Sequence, residues 1–110
     1  MKHKTAELDG AMLDAAVAMA KGDEPGADFS TSWHHAGPII QRERIEILPT
    51  LIEWDEAAGE HRAEGFRALY DGGCDYDHCW VGEHEQEGRT MLIAAMRAYV
   101  ASKFGEEVDL

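Results

Sequence analysis

The chain of 110 residues is poor in cations and has no long hydrophobic run. Its 10 Lys and Arg residues stand against 22 Asp and Glu residues, which gives a formal charge of -12 at pH 7. This charge repels nucleic-acid phosphates and anionic membranes, so we expect no direct nucleic-acid binding and no membrane binding. No apolar segment approaches the roughly 18 residues of a membrane span, and the first ten residues contain no signal-peptide core. The sequence therefore predicts a soluble cytoplasmic protein.

Cysteine is also scarce, and the common catalytic motifs are missing. A disulfide between the two cysteines, Cys74 and Cys79, would contribute at most about 2 kcal/mol, and a reducing cytoplasm disfavours it. There is no GxxxxGK phosphate loop, no GxGxxG turn and no HExxH helix, so the usual reasons to propose an enzyme are missing and we assign no catalytic residues. A single domain of this length can bury enough surface to form a hydrophobic core without disulfides or bound metal ions.

Both ends of the chain have helical periodicity. Asp9 can cap a first helix over residues 10–21, and Gly22 can end it in a left-handed conformation. Thr90 can cap a final helix that Gly105 ends. The final helix is apolar over much of its circumference, so it must be covered by a sheet on one side and by a neighbour on the other. That neighbour is either the first helix or a second copy of the chain. We expect its residues Leu92, Met96, Tyr99 and Val100 to form the core or the face of a homodimer.

The segment between these helices mixes turn formers with short alternating patterns. Residues 22–37 predict an ordered loop pinned by Phe29 and Trp33. Pro38 suits the first position of a short helix that continues for one or two turns over residues 39–44. Strand patterns follow at residues 45–47, 51–55, 61–70 and 79–81. We expect the loop to contact the sheet through four residues: Trp33, Pro38, Ile39 and Trp54.

These elements predict an α+β fold. Its sheet would be small and antiparallel, with three to four short strands, because the connections are too short for parallel crossovers. The N-terminal and C-terminal helices would pack on one face of that sheet.

Three strings support a family resemblance: KTAELDGAMLDAAVAMAKG at residues 4–22, SWHHAGPIIQRERIEI at 32–47 and MLIAAMRAYVASKFGEEVDL at 91–110. They resemble the NinX-like family of small phage and prophage proteins. The resemblance implies a phage accessory protein with one NinX-like domain over residues 1–110, and it assigns no biochemical activity. Residues 50–88 do not contribute to it, so a site there would be peculiar to this protein or its near relatives.

A dense group of metal-binding residue types lies within residues 74–84. Thiolate and imidazole groups suit zinc, and Cys74, His78, Cys79 and His84 could supply four ligands to a tetrahedral ion. The spacing differs from that of common zinc sites, which use a second cysteine pair. The alternative interpretation makes Cys79 a buried strand residue and the nearby aspartates turn formers.

An acidic run over residues 71–87 has six carboxylates and no Lys or Arg. Such a run usually forms a solvated face. In a small acidic phage protein it could instead imitate the phosphates of DNA and occupy the nucleic-acid cleft of a host enzyme.

The adjacent His34 and His35 could act as acid or base near neutral pH, but no nucleophile motif accompanies them. We expect them at the surface, with Trp33 at the edge of the core. The leading hypothesis is a noncatalytic interaction protein that binds a host or phage protein in the bacterial cytoplasm and that forms a homodimer. The alternatives are a metal-binding protein or metal-dependent enzyme centred on the Cys74 to His84 group, and an acidic DNA mimic.

Overall fold

The computed structural model describes residues 2–49, 52–63, 65–70, 73–74, 79–80 and 83–110. A 3-10 turn over Thr5–Glu7 lies between the first strand and the first helix. In chain order the other elements are β1 (Lys2–Lys4), α1 (Gly10–Lys21), α2 (Trp33–Glu43), β2 (Ile45–Pro49), β3 (Ile52–Asp55), β4 (Glu60–Ala63), β5 (Phe66–Tyr70), β6 (Gly73–Cys74), β7 (Cys79–Trp80), β8 (Glu83–Gly88), α3 (Met91–Phe104) and β9 (Glu107–Asp109).

The central sheet has three antiparallel strands in the order β2-β5-β8. Each connection within it contains a hairpin: β3-β4 lies between β2 and β5, and β6-β7 lies between β5 and β8. The sequence predicts one strand over residues 61–70, and the structure instead has β4 and β5, which pair with different partners. The α+β class with a small antiparallel sheet is confirmed.

Helix α3 is the centre of the molecule. The sheet strands β2, β5 and β8 pack against it, and α1 and α2 also contact it. Nine of its positions are buried, including the four that the sequence proposes for the core or a dimer face: Leu92, Met96, Tyr99 and Val100. These side chains are at most 5% exposed, so they belong to the core of a single chain. A homodimer remains a prediction, and these four side chains are not available to form its face.

The predicted boundaries of α1 and α3 are confirmed. The side chain of Asp9 accepts a hydrogen bond from the Gly10 amide at 2.8 Å, and Gly22 ends α1 with φ at 79°. The Thr90 hydroxyl accepts a hydrogen bond from the Ile93 amide at 3.1 Å, and Gly105 follows the last residue of α3. Local capping chemistry therefore fixes both helices.

Helix α2 begins five residues earlier than the sequence predicts. Ser32 is its N-cap and Trp33 its first residue, so Pro38 lies inside the helix rather than at its start. At this position proline removes the amide that would donate to the His34 carbonyl. Because this loss costs nothing in the first turn of a helix, proline usually indicates a helix start. The burial of Ala36 and Ile39 against the core stabilises the helix on both sides of the proline.

The loop between α1 and α2 is pinned by one of its two predicted aromatics. Phe29 is 3% exposed and belongs to the hydrophobic core, and the Ser30 amide donates to Asp14 Oδ1 at 2.7 Å. Trp33 is 54% exposed, so its predicted place at the edge of the core is wrong. Phe29 therefore anchors the loop, whereas the side chain of Trp33 is exposed to solvent at the start of α2.

The two ends of the described chain lie side by side. Strands β1 and β9 pair antiparallel, with His3 opposite Val108. The fully buried Thr5 continues this contact, because its amide donates to the Glu106 carbonyl at 2.8 Å and its hydroxyl to the Gly105 carbonyl at 2.7 Å. Among the described residues, no helix is long and apolar enough to cross a bilayer.

Candidate functional site

The exposed side of α2 is the first candidate site. Trp33, His34, Pro38, Gln41 and Arg42 are all exposed, and we call them the α2 surface. His34, Pro38 and Gln41 share one face of the helix through their spacing of four and three residues, and Trp33 lies at its N-terminal edge. The α2 surface contains no carboxylate, in contrast with the strong negative charge of the chain as a whole.

A second histidine, His35, extends this surface next to His34. The rings of His34 and His35 meet edge to face with centroids 5.2 Å apart, and His35 also contacts the ring of Phe29. The Nδ1 atom of His35 lies 3.1 Å from the Ser32 hydroxyl. Both histidines are exposed, which confirms their predicted surface position.

The predicted contact between loop and sheet is realised only in part. Ile39 is 1% exposed and packs in the core, whereas Trp33 and Pro38 face solvent. The side chain of Trp54 lies outside the described residues, although its backbone belongs to β3 opposite His61. Ile39 therefore anchors α2, and Trp33 and Pro38 are accessible to a binding partner.

Backbone pairing brings together the two cysteines of the predicted metal cluster. Cys74 and Cys79 are direct partners across the β6-β7 ladder. His78 lies outside the described residues, and His84 is exposed at the beginning of β8 with a left-handed φ of 57°. Among the described side chains, no group of three or more His, Cys, Asp or Glu residues has the geometry of a metal site.

The acidic run of residues 71–87 lies largely outside the described residues. Its described end forms β8, where Glu85 and Glu87 are exposed. The carboxylate of Glu85 lies 3.6 Å from Arg67 Nη1 on the neighbouring strand. This ion pair neutralises one of the charges that the DNA-mimic hypothesis would use.

A cleft of about 700 Å³, which the sequence did not predict, opens where β8 ends and α3 begins. We call it the arginine cleft, and its lining comprises Ala6, Gly65, Phe66, Glu85, Gln86, Glu87, Gly88, Arg89 and Arg97. These residues come from four separate segments, so no local motif could have revealed the cleft. The sequence signal was only the presence of two arginines near the final helix, in a chain with few cations.

Arg97 holds three of these segments together. It projects from α3 and donates from Nε to the Leu8 carbonyl at 2.8 Å and from Nη1 to the Glu87 carbonyl at 2.7 Å. Burial lowers the pKa of its guanidinium, with a smaller lowering from the charge of Arg89 and an opposing effect of Asp9. The guanidinium is thus fixed and partly desolvated at the wall of the cleft.

Arg89 lies at the rim of the cleft and pairs with the N-cap of α1. Its Nη1 and Nη2 atoms lie 2.7 Å and 3.3 Å from the two carboxylate oxygens of Asp9. The hydrogen bond from Arg89, together with the one from the Gly10 amide, lowers the pKa of the Asp9 carboxyl. Asp9 therefore neutralises Arg89, while Arg97 is bonded to neutral carbonyls.

Comparison with known proteins identifies the family. A family model described as "Bacteriophage P22, NinX" matches residues 24–103. The match runs across residues 50–88, which had not contributed to the resemblance, so this segment is part of the family domain; the opening string at residues 4–22 lies outside the match. No curated protein matches the chain. Since the matched region covers well over half of its length, the chain belongs to the phage P22 NinX family.

Proposed function

We propose that this phage accessory protein is a noncatalytic interaction module whose α2 surface docks on a protein of the phage or of its bacterial host, in the host cytoplasm. The observation that carries this proposal is the 54% exposure of Trp33. Tryptophan is strongly enriched among the residues that dominate binding energy at interfaces, and an indole left in water is available to fill a pocket on a partner.

The charges around Trp33 favour a partner with an acidic contact surface. The α2 surface carries Arg42 and the imidazole of His34, and the imidazole of His35 lies beside it. The one carboxylate within α2, that of Glu43, is largely buried and lies 3.7 Å from Lys103. A partner that presents carboxylates around an apolar pocket is therefore complementary to this helix.

The packing of α2 keeps this surface rigid. Ile39 is buried in the core and Ala36 is fully buried on the same side of the helix. Side chains on the opposite side can therefore bind without a change of fold, which lowers the entropic cost of association. A Trp33→Ala variant should fold normally, because the indole is not part of the core.

The test compares three proteins as bait in affinity capture from host and infected-host lysates: the wild type, Trp33→Ala and Met12→Ala. Met12 is a suitable control because it is an exposed hydrophobic residue, 42% exposed, on α1. The captured partner is then purified and its affinity measured by calorimetry. We expect Trp33→Ala to weaken binding by at least about thirtyfold, as for an interface hot spot, and Met12→Ala to leave it unchanged.

A second variant tests the charge complementarity. Arg42→Glu should slow association with the same partner, and high salt should slow association of the wild type. Equal affinities of Trp33→Ala and the wild type would refute the proposal. Light scattering that shows a dimer in the wild type and a monomer in Trp33→Ala would also refute it, because the occupant of the α2 surface would then be a second copy of the chain.

One observation favours a second candidate function, metal binding. We propose it because the ladder pairs Cys74 with Cys79, which places two potential thiolate ligands at neighbouring positions. His78 and His84 would complete the predicted set. Elemental analysis of protein purified without an affinity tag should find one zinc ion per chain, and a Cys74→Ser, Cys79→Ser double variant should lose it. Substoichiometric zinc, iron and nickel in the wild type would eliminate this candidate.

A further inference from the structure

The arginine cleft has the volume of a ligand site and a lining in which charged side chains face a small apolar surface. Its volume of about 700 Å³ lies within the range of small-molecule pockets, roughly 300–1,000 Å³. Phe66 packs against the hydrophobic core while it also lines the cleft, so it provides an apolar wall. Ala6, from the 3-10 turn, provides a second small apolar surface. Polar groups are confined to β8, Arg89 and Arg97.

Arg97 is a cation without a directly bonded carboxylate in the described part of the chain. Its two hydrogen bonds go to the neutral carbonyls of Leu8 and Glu87. These bonds use Nε and one proton of Nη1, and Nη2 has no acceptor among the described residues. Asp9 is the carboxylate whose charge acts on Arg97, but both of its oxygens are hydrogen-bonded to Arg89. A planar guanidinium held in this way is suited to a planar anion.

The neighbouring charges limit the kind of anion. The exposed carboxylates of Glu85 and Glu87 lie on the same wall, with Glu85 beside Arg67, and the chain carries a net charge of -12. These negative charges repel every anion in proportion to its own charge, so they disfavour a multiply charged phosphate more than a single negative charge, which the Arg97 cation can balance. The apolar wall formed by Phe66 favours a ligand whose remaining part is hydrophobic.

We infer that the arginine cleft binds the carboxylate of an amphipathic monoanion, with Arg97 bonded to the carboxylate and Phe66 packed against its apolar part. Arg89 lines the rim, where its guanidinium is already paired with Asp9. The same chemistry occurs in a small organic acid and in the C-terminus of a peptide that ends in an apolar residue. This inference is independent of the α2 surface, which lies on a different helix.

The test is a titration of the full chain followed by two-dimensional NMR of its backbone amides. The probe is 3-phenylpropanoate, and 3-phenylpropanamide is the uncharged control of the same shape. We expect saturable shifts of the amides of Gly65, Phe66 and Gly88 with the acid, and binding about tenfold or more weaker with the amide, because it lacks the charge. Inorganic phosphate should also bind more weakly than the acid.

Two variants connect the binding to named residues. Arg97→Lys keeps the charge but loses the planar fork, so affinity should fall about tenfold. Glu87→Gln removes a competing charge and retains the backbone carbonyl that accepts from Arg97, so affinity for the acid should rise about twofold to fivefold. Glu24→Gln is the matched control, since it removes one exposed charge from the loop beyond the far end of α1. Trp33→Ala should leave binding unchanged.

Several results would overturn the inference. These are the absence of saturable shifts with the acid, equal binding of the amide, or an equal gain in affinity from Glu24→Gln and Glu87→Gln. If Arg97→Lys fails to fold, the comparisons of acid with amide and of Glu87→Gln with Glu24→Gln still decide whether the cleft binds a carboxylate.

A peptide with a C-terminal phenylalanine then distinguishes the two sources of the carboxylate. Tighter binding than the small acid identifies a chain terminus, and weaker binding identifies a free organic acid. Both of these results support a carboxylate site.

Discussion

Gly88 is the point of closest approach between β8 and α3. A Cβ atom at this position would lie 2.6 Å from the backbone nitrogen of Ala94 and 2.8 Å from Ile93 Cγ2. The backbone of the first turn of α3 cannot move away without disturbing the core. The absence of a side chain therefore allows the strand to pack directly on the helix.

We predict that Gly88→Ala destabilises the fold by about 1–3 kcal/mol, the usual cost of forcing extra atoms into a packed interior. Urea denaturation measures the loss. Gly37→Ala is the control, because no atom lies within 4 Å of its Cβ position. Alanine favours the helical conformation more than glycine does, but its Cβ is crowded by the ring of the following Pro38. The stability of Gly37→Ala should therefore remain within about 1 kcal/mol of the wild type. Similar losses in the two variants would contradict this account of Gly88.

Asp9 links a helix cap to a long-range ion pair, which makes stability depend on pH. Its pKa in the folded protein is lowered from 3.8, first by the hydrogen bond from Arg89. A carboxyl with a lowered folded pKa contributes stability above its unfolded pKa and loses that contribution as the pH falls through the folded value. The contribution is therefore complete at neutral pH.

We predict that Asp9→Asn lowers the urea midpoint at pH 7 and that the difference from the wild type shrinks as the pH approaches about 2. Asparagine remains a good N-cap, so the variant isolates the charge from the capping hydrogen bond. Glu24→Gln, which changes an exposed carboxylate outside any described ion pair, is the control and should show a smaller difference at pH 7. A pH-independent loss in Asp9→Asn would show that the ion pair with Arg89 contributes nothing.

At the scale of elements, α2 shows where local sequence rules fail. Gly37 and Pro38 both indicate an interruption, and the helix nevertheless continues through them. Burial of Ala36 and Ile39 compensates for the missing hydrogen bond to His34. The boundaries of α1 and α3 were predictable because their caps use local hydrogen bonds, whereas the start of α2 depends on contacts distant in sequence.

We predict that Pro38→Ala stabilises the protein by about 1–3 kcal/mol, because alanine restores the amide and removes the clash with the preceding turn, although proline restricts the unfolded chain. Thermal denaturation followed by circular dichroism measures the gain. Gln41→Ala, an exposed change in the same helix, should shift stability by no more than about 0.5 kcal/mol. A loss of stability in Pro38→Ala would indicate that the ring itself packs favourably.

Strand β8 is an element that the sequence did not predict. Its segment EHEQEG is rich in carboxylates, and this composition predicts a solvated acidic face rather than a strand. It forms an edge of the central sheet by pairing with β5, and its Gly88 packs on α3. Charged side chains suit an edge strand, since they discourage pairing with other molecules. Strand propensity could not reveal it because tertiary pairing supplied the stabilisation.

For the whole molecule, the dominant electrostatic feature is self-repulsion. The charge of -12 is distributed over a single small chain, and added salt screens it over a Debye length of about 7 Å at 0.2 M. Screening should favour the compact state more than the expanded one, where the charges are already far apart.

We predict that the melting temperature rises between dilute buffer and 0.2 M salt; a gain of about 1 kcal/mol corresponds to roughly 4–8 °C in a domain of this size. A Glu24→Gln, Glu106→Gln double variant should show a smaller rise, because it lowers the net charge by two exposed carboxylates. Equal melting temperatures of the wild type in the two buffers would refute the role of self-repulsion.

The amino-acid sequence by itself determined the α+β class, the capped helices α1 and α3, and the apolar character of the final helix, because capping and hydrophobic periodicity are local properties. Only the tertiary structure decided what covers that helix, where α2 begins, and that Trp33 is exposed while Phe29 is buried. It also brought Arg97, Leu8 and Glu87 together from distant segments. Such contacts depend on how the chain packs, and no spacing along the sequence encodes them.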